Sequence, residues 1–308
     1  MELAAKLQDP RQTVLFYGTT PPREGTPAAQ VEAAAARLAE RIAALAPDAI
    51  VVYDIQDESG RTSAPRPFPF ARTLDPRHYA ALLEARTGRP AIVYKSLGAM
   101  DEPAWRAWLD ATAREFPSRL LSVVGRPTSG VRHALSLAQA IGIAADHPAR
   151  FTVGAVAIAE RHSAERSEAA RMLAKSLAGA RFFVSQTVYA ADATVRLLAD
   201  YARDCRGAGV EPRRVVLTFA PVGREKTLAF LRWLGVHVPE ETAREILGAP
   251  DPLARSLALC TENLRRIAAS AGASGIPLGA NAESVSIHRD EIEASAKLLG
   301  ELGAALGR

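Results

Sequence analysis

The chain has 308 residues, of which 48% are hydrophobic, 23% charged and 6% aromatic, a composition that excludes intrinsic disorder and points to a core of aliphatic strands and alanine-faced helices rather than aromatic clusters. The formal net charge is only +4, and the basic residues are scattered, so neither a nucleic-acid arm nor a polybasic membrane tether is expected. Residues 30–47, rich in alanine, carry Glu32, Arg37, Glu40 and Arg41, too costly for a membrane span; the N-terminus lacks a signal-peptide pattern, and Cys205 and Cys260 stand apart, which together suggest a soluble protein of the reducing cytoplasm.

Apolar, β-branched runs fall at 13–19, 49–55, 91–97, 120–125, 152–158, 182–189, 215–221 and 276–287. Between them helical spacing occupies 28–45, 77–87, 102–116, 129–145, 164–178, 191–207, 224–269 (broken at Pro239 and Pro252) and 290–306. Strict strand-then-helix alternation, with strands apolar on both faces, implies a parallel sheet covered by helices. Eight such units without a linker predict one (β/α)8 TIM barrel, an α/β fold, spanning residues 1–308 as a single domain. The doubly wound sheet is the alternative, but no strand is followed by Gly-x-Gly-x-x-Gly.

In a TIM barrel the chemistry sits at the C-terminal strand ends, so those positions are the candidates. The first strand exits through Gly18-Thr19-Thr20-Pro21-Pro22-Arg23, a stiff turn whose glycine admits a flat ligand close to the backbone. The second ends in Asp54, Asp57 and Glu58, then Arg61 and Thr62, a cluster of charges that a barrel top can hold together. Lys95 and Arg126 follow the third and fourth strands as candidate anion anchors. Strand five runs into Glu160-Arg161-His162, an acid, a base and an imidazole in sequence. Strand six carries Gln186 and Tyr189; an amide inside an apolar strand needs partners, which a ligand could supply. Strand eight is unusually polar, with Asn281 and Glu283. The histidines lack metal-ligand spacing, so no metal is expected.

This ordered set of strand ends resembles the methylenetetrahydrofolate reductase family, flavin-dependent (β/α)8 barrels of one-carbon metabolism. The similarity runs from Pro21-Pro22-Arg23 to Leu278-Gly279-Ala280-Asn281; its most specific stretch is Ala157 to His162, followed by Lys175, Ala178-Gly179-Ala180 and Phe182 to Gln186. Tyr17-Gly18-Thr19-Thr20-Pro21-Pro22 and Arg66-Pro67-Phe68-Pro69-Phe70 mark a divergent branch.

The resemblance implies an oxidoreductase that converts 5,10-methylenetetrahydrofolate to 5-methyltetrahydrofolate with FAD and NAD(P)H, and self-association by analogy. It places the pterin on Gln186 and the flavin on His162 and Lys175; from their positions at the strand ends, Tyr189, Arg126, Asn281 and Glu283 are added on the substrate side and Thr62 on the cofactor side. Two matches fail. The family's catalytic glutamate falls on Gly18, which cannot protonate the leaving amine, and its strand-four aspartate falls on Arg126. Either another carboxylate, from Asp54, Asp57, Glu58, Glu160 or Glu283, takes the role or the reaction differs; Asp57, beside strand one in a singly wound barrel, is the expected donor, with Glu160 orienting the pterin or flavin. A flavin-free folate-dependent one-carbon transferase and a non-catalytic folate-binding barrel are the alternatives.

Overall fold

The computed structural model describes residues 2–57, 62–125 and 135–308. Strands β1 (Val14–Thr19), β2 (Ala49–Val52), β3 (Ala91–Ser96), β4 (Leu120–Val124), β5 (Thr152–Ala157), β6 (Phe182–Thr187), β7 (Arg214–Phe219) and β8 (Leu278–Glu283) close in sequence order into a parallel barrel. The seam is the β1–β8 pair, where Phe16 lies opposite Asn281 and Gly18 opposite Glu283. The TIM barrel expected from the alternation is the fold found.

The helices are α1 (Leu3–Gln8), α2 (Ala28–Ile42), α3 (Pro76–Thr87), α4 (Glu102–Glu115), α5 (Leu137–Ala145), α6 (Glu168–Leu177), α7 (Ala191–Gly207), α8 (Glu225–Trp233), α9 (Glu240–Leu247), α10 (Pro252–Ser274) and α11 (Arg289–Ala305). Local chemistry sets their ends. Asp75, Asp101, Ser136, Ser167 and Asp251 each accept a first-turn backbone N–H, and Ser136 forms a reciprocal capping box with Gln139. The stretch read as one helix broken at two prolines is three helices. The first ends ahead of Gly235 (φ 84°), Pro239 precedes α9, and Pro252 sits in the first turn of α10.

Two apolar layers hold the barrel. The outer one packs strand side chains such as Leu15, Ile50 and Val93 against alanine- and leucine-bearing helix faces, with Leu38 and Ile42 one turn apart on α2. The inner one is partly aromatic, contrary to expectation: Phe16 and Phe182 meet edge to face at 6.4 Å between ring centroids, alongside Val51, Ile92 and Val184. Gly154 makes this possible, since a Cβ there would lie 2.4 Å from the Phe182 ring.

The short helix α1, which the sequence reading did not anticipate, caps the lower mouth, with Leu3 and Leu7 buried in the inner layer. Arg214 fastens it, donating to the carbonyls of Leu7 (3.2 Å), Asp9 (2.5 Å) and Leu278 (2.6 Å). Among the described residues no helix closes the upper mouth.

Candidate functional site

A cavity of about 760 Å³ occupies the upper end of the barrel, at the C-terminal strand ends. Its floor is made by residues one pleat above the inner apolar layer. Period-two alternation carries the inward face from Phe16 to Gly18, from Val51 to Tyr53 and from Asn281 to Glu283. Gly18 leaves room for its neighbours, because a Cβ there would fall 2.9 Å from Cε2 and Oη of Tyr53 and 3.0 Å from Cβ of Glu283.

The floor is a network of hydroxyls and one carboxyl. Thr187 Oγ1 donates to Glu283 Oε1 at 3.2 Å, and the Tyr53 phenol also bonds to the Glu283 carboxyl. Asn281 Nδ2 donates to Tyr53 Oη at 3.0 Å and to Thr218 Oγ1 at 3.3 Å from just beneath. The Tyr53 ring meets Tyr94 edge to face at 4.8 Å. Glu283 lines the cavity, and burial lifts its pKa above the ordinary glutamate value. Burial, reinforced by the Glu283 charge, holds the Tyr53 phenol well above its usual range, so Tyr53 stays a donor.

Gln186 and Thr187 both line the cavity although adjacent in sequence, because the β6–β7 register shifts between Val184 and Thr187. Gln186 Nε2 donates to the Leu234 carbonyl at 3.1 Å. A carbonyl can only accept, so the amide is oriented and its oxygen remains an acceptor for a ligand N–H.

On the far wall Glu160, in the 3-10 turn Ala159–Arg161, accepts the His237 backbone N–H at 3.3 Å, and burial raises its pKa too. Lys175 lines the cavity but is committed. Its ammonium donates to the Val156 carbonyl (2.8 Å) and pairs with buried Glu168 (3.1 Å), while burial lowers its pKa. Asp54 accepts the Ser96 N–H at 2.9 Å and lies 3.6 Å from Lys95.

Of the expected site residues, the structure brings Glu160, Lys175, Gln186 and Glu283 to the cavity and puts Asn281 directly below it. The others go elsewhere. Tyr189 is buried outside the barrel, donating to the Ala220 carbonyl at 2.7 Å and touching Ser256 of α10; it lies two residues past the end of β6 and turns to the helices. His162 points away to Asp200 of α7, at 2.8 Å. Thr62 is exposed and bonds to the Ala64 N–H at 3.2 Å. Asp57 is exposed and does not line the cavity. Arg126 lies outside the described residues, as do Glu58 and Arg61. Because His162, Lys175 and Thr62 neither converge nor offer a free cation, they do not form a flavin site, and no step below passes through FAD.

One residue, Tyr53, and the role of one motif were not read from the sequence. Tyr53, two residues past inward-facing Val51, was detectable from alternation alone. The Arg66-Pro-Phe-Pro-Phe stretch builds the apolar wall: Phe68 meets Phe230 edge to face at 5.2 Å, and the Arg66 guanidinium lies 4.9 Å over Trp233.

No protein-family model matches the sequence, and no curated protein matches it. Among solved structures, the chain is similar to an uncharacterised protein from Clostridium thermocellum that binds two copies of 5-methyl-5,6,7,8-tetrahydrofolic acid, at 27% identity and a TM-score of 0.82 over 99% of both chains. It is also similar to 2,3-dimethylmalate lyase, at 13% identity and a TM-score of 0.50 over 91% of this chain and 77% of that one, a likeness of fold alone. Among the described residues no helix is long and apolar enough to cross a membrane, and Cys205 and Cys260 are free and buried.

Proposed function

We propose that the barrel binds a reduced folate in its upper cavity and reduces 5,10-methylenetetrahydrofolate to 5-methyltetrahydrofolate, with NAD(P)H as the hydride donor. The observation that carries this reading is the chain-wide similarity to a barrel that binds 5-methyltetrahydrofolate, the product of that reaction. The cavity supports it. The fixed Gln186 amide suits the donors of a pterin edge, the Phe68 and Phe230 wall suits an aromatic ring, and Glu283 supplies a carboxyl at the floor.

The chemistry asks for little more. The bond from the methylene carbon to N10 breaks, N10 gains a proton, and the iminium left on N5 accepts hydride at carbon while the nicotinamide is oxidised. The protein's part is to hold the pterin, keep water out and supply the proton.

A second reading, a folate-binding barrel without turnover, is favoured by Gly18, which removes the acid expected on strand one. Calorimetry with 5-methyltetrahydrofolate, then anaerobic NADH and NADPH oxidation with methylenetetrahydrofolate, separates the two. We expect saturable folate binding and folate-dependent oxidation. Binding without oxidation selects the second reading, and no binding defeats both.

A further inference from the structure

Gly18 and Glu283 face each other across the seam that closes the barrel, at the same level and on the inner face of adjacent strands. A side chain at position 18 would need the space that Tyr53 and Glu283 fill, since its Cβ would already stand 2.9 to 3.0 Å from them. The missing carboxylate and the present one thus exclude each other. We propose that Glu283 is the proton donor to the leaving nitrogen, the acid having moved one strand around the barrel from β1 to β8. This rests on the reductase reading above.

The other carboxyls near the cavity are spent or misplaced. Asp54 is engaged by Lys95 and the Ser96 N–H, and Glu168 by Lys175; Glu160, which accepts the His237 N–H, lies past β5 on the side of the barrel opposite the β1–β8 seam, and Asp57 lies outside. Glu283 has hydroxyl partners and, among the described residues, no cation in ion-pair range: Tyr53 reaches it from past β2 and Thr187 from β6, while Tyr94 of β3 and Tyr17 of β1 contribute only neutral phenols nearby. Burial outweighs the two hydroxyl hydrogen bonds, which favour the charged form, and leaves the carboxyl protonated to higher pH than a solvated glutamate, which is the state a donor needs. In the step, the Glu283 O–H proton passes to N10 as the carbon–N10 bond breaks, hydride from NAD(P)H adds to the carbon, and the carboxylate regains a proton from solvent through the cavity.

The test compares wild type, Glu283→Gln, Glu283→Asp and Asp57→Asn for turnover against pH, 5-methyltetrahydrofolate affinity and melting temperature. Glu283→Gln should lose about 100-fold or more in turnover, with affinity changed by no more than about threefold. Wild-type turnover should fall on the alkaline side as Glu283 ionises, and that limb should be absent from the residual activity of Glu283→Gln. Glu283→Asp, which keeps an acid, should recover part of the rate and of the limb, and Asp57→Asn should match wild type. Full turnover in Glu283→Gln, an alkaline limb unchanged in that variant, or affinity and turnover lost in parallel by both Glu283 variants overturns the donor role while leaving the reductase reading intact. A wild type that binds folate yet never oxidises a nicotinamide nucleotide defeats the reductase reading, and the donor role falls with it.

Discussion

Lys175 shows how a cation beside a ligand cavity can be structural. Its ammonium is shared between the Val156 carbonyl and Glu168, which is only 2% exposed. Removing one partner of such a pair leaves an uncompensated buried charge, which costs more than the pair itself contributes. Lys175→Met should therefore destabilise the fold by about 3 kcal/mol in denaturant melts, less than a wholly isolated pair would lose because Arg171 stands 3.4 Å from Glu168. Adding Glu168→Gln should return part of that loss. If Lys175 instead served a bound diphosphate, the single variant would keep its stability and lose only ligand affinity.

At the scale of elements, the barrel separates its support from its chemistry. Helix α1 closes the lower mouth through Leu3 and Leu7, far from the upper cavity, and Arg214 ties it to β8. Leu7→Ala removes a side chain that is 2% exposed and leaves a void in the inner layer, at a cost of about 2 to 4 kcal/mol. Thermal or denaturant unfolding should record that loss while 5-methyltetrahydrofolate affinity stays at the wild-type value; a parallel loss of affinity would show that the two ends of the barrel are coupled. The β6 irregularity works the other way. One shifted register brings Gln186 and Thr187 together into the cavity, while Tyr189, past the end of the strand, packs out against α10.

For the whole molecule, a ligand seated among the ends of most strands should stabilise the entire closed sheet. Binding only to the folded state at 100 times Kd adds about 2.7 kcal/mol. With an unfolding entropy of about 2.1 cal/mol/K per residue, the 308 residues should respond with a rise in Tm of about 4 °C. Thermal shift with 5-methyltetrahydrofolate measures it, and a folate analogue lacking the pterin should give no shift if Gln186 is the recognition point. An unchanged Tm at saturating ligand would argue against a site built from the strand ends.

The order of strands and helices was legible because it is local: apolar runs, helical spacing, capping residues and prolines act within a few positions, and a barrel strand apolar on both faces reads the same wherever it lies. Glu160 and Gln186 were legible for a related reason, as polar groups at the ends of such strands. What the chain alone could not say was which of several carboxylates faces inward. Asp57 stood out by its place beside strand one, but β2 ends at Val52, and Asp57, five residues further on, has left the sheet. Glu283 acquires its meaning only when β8 closes on β1 and brings it opposite Gly18, with Tyr53 from a third strand completing the floor. Closure of a barrel is a long-range event, and so are the burial and partners that decide whether a carboxyl keeps its proton. Residue type was written in the sequence; the neighbours that make it an acid, a salt bridge or a surface charge were set by the fold.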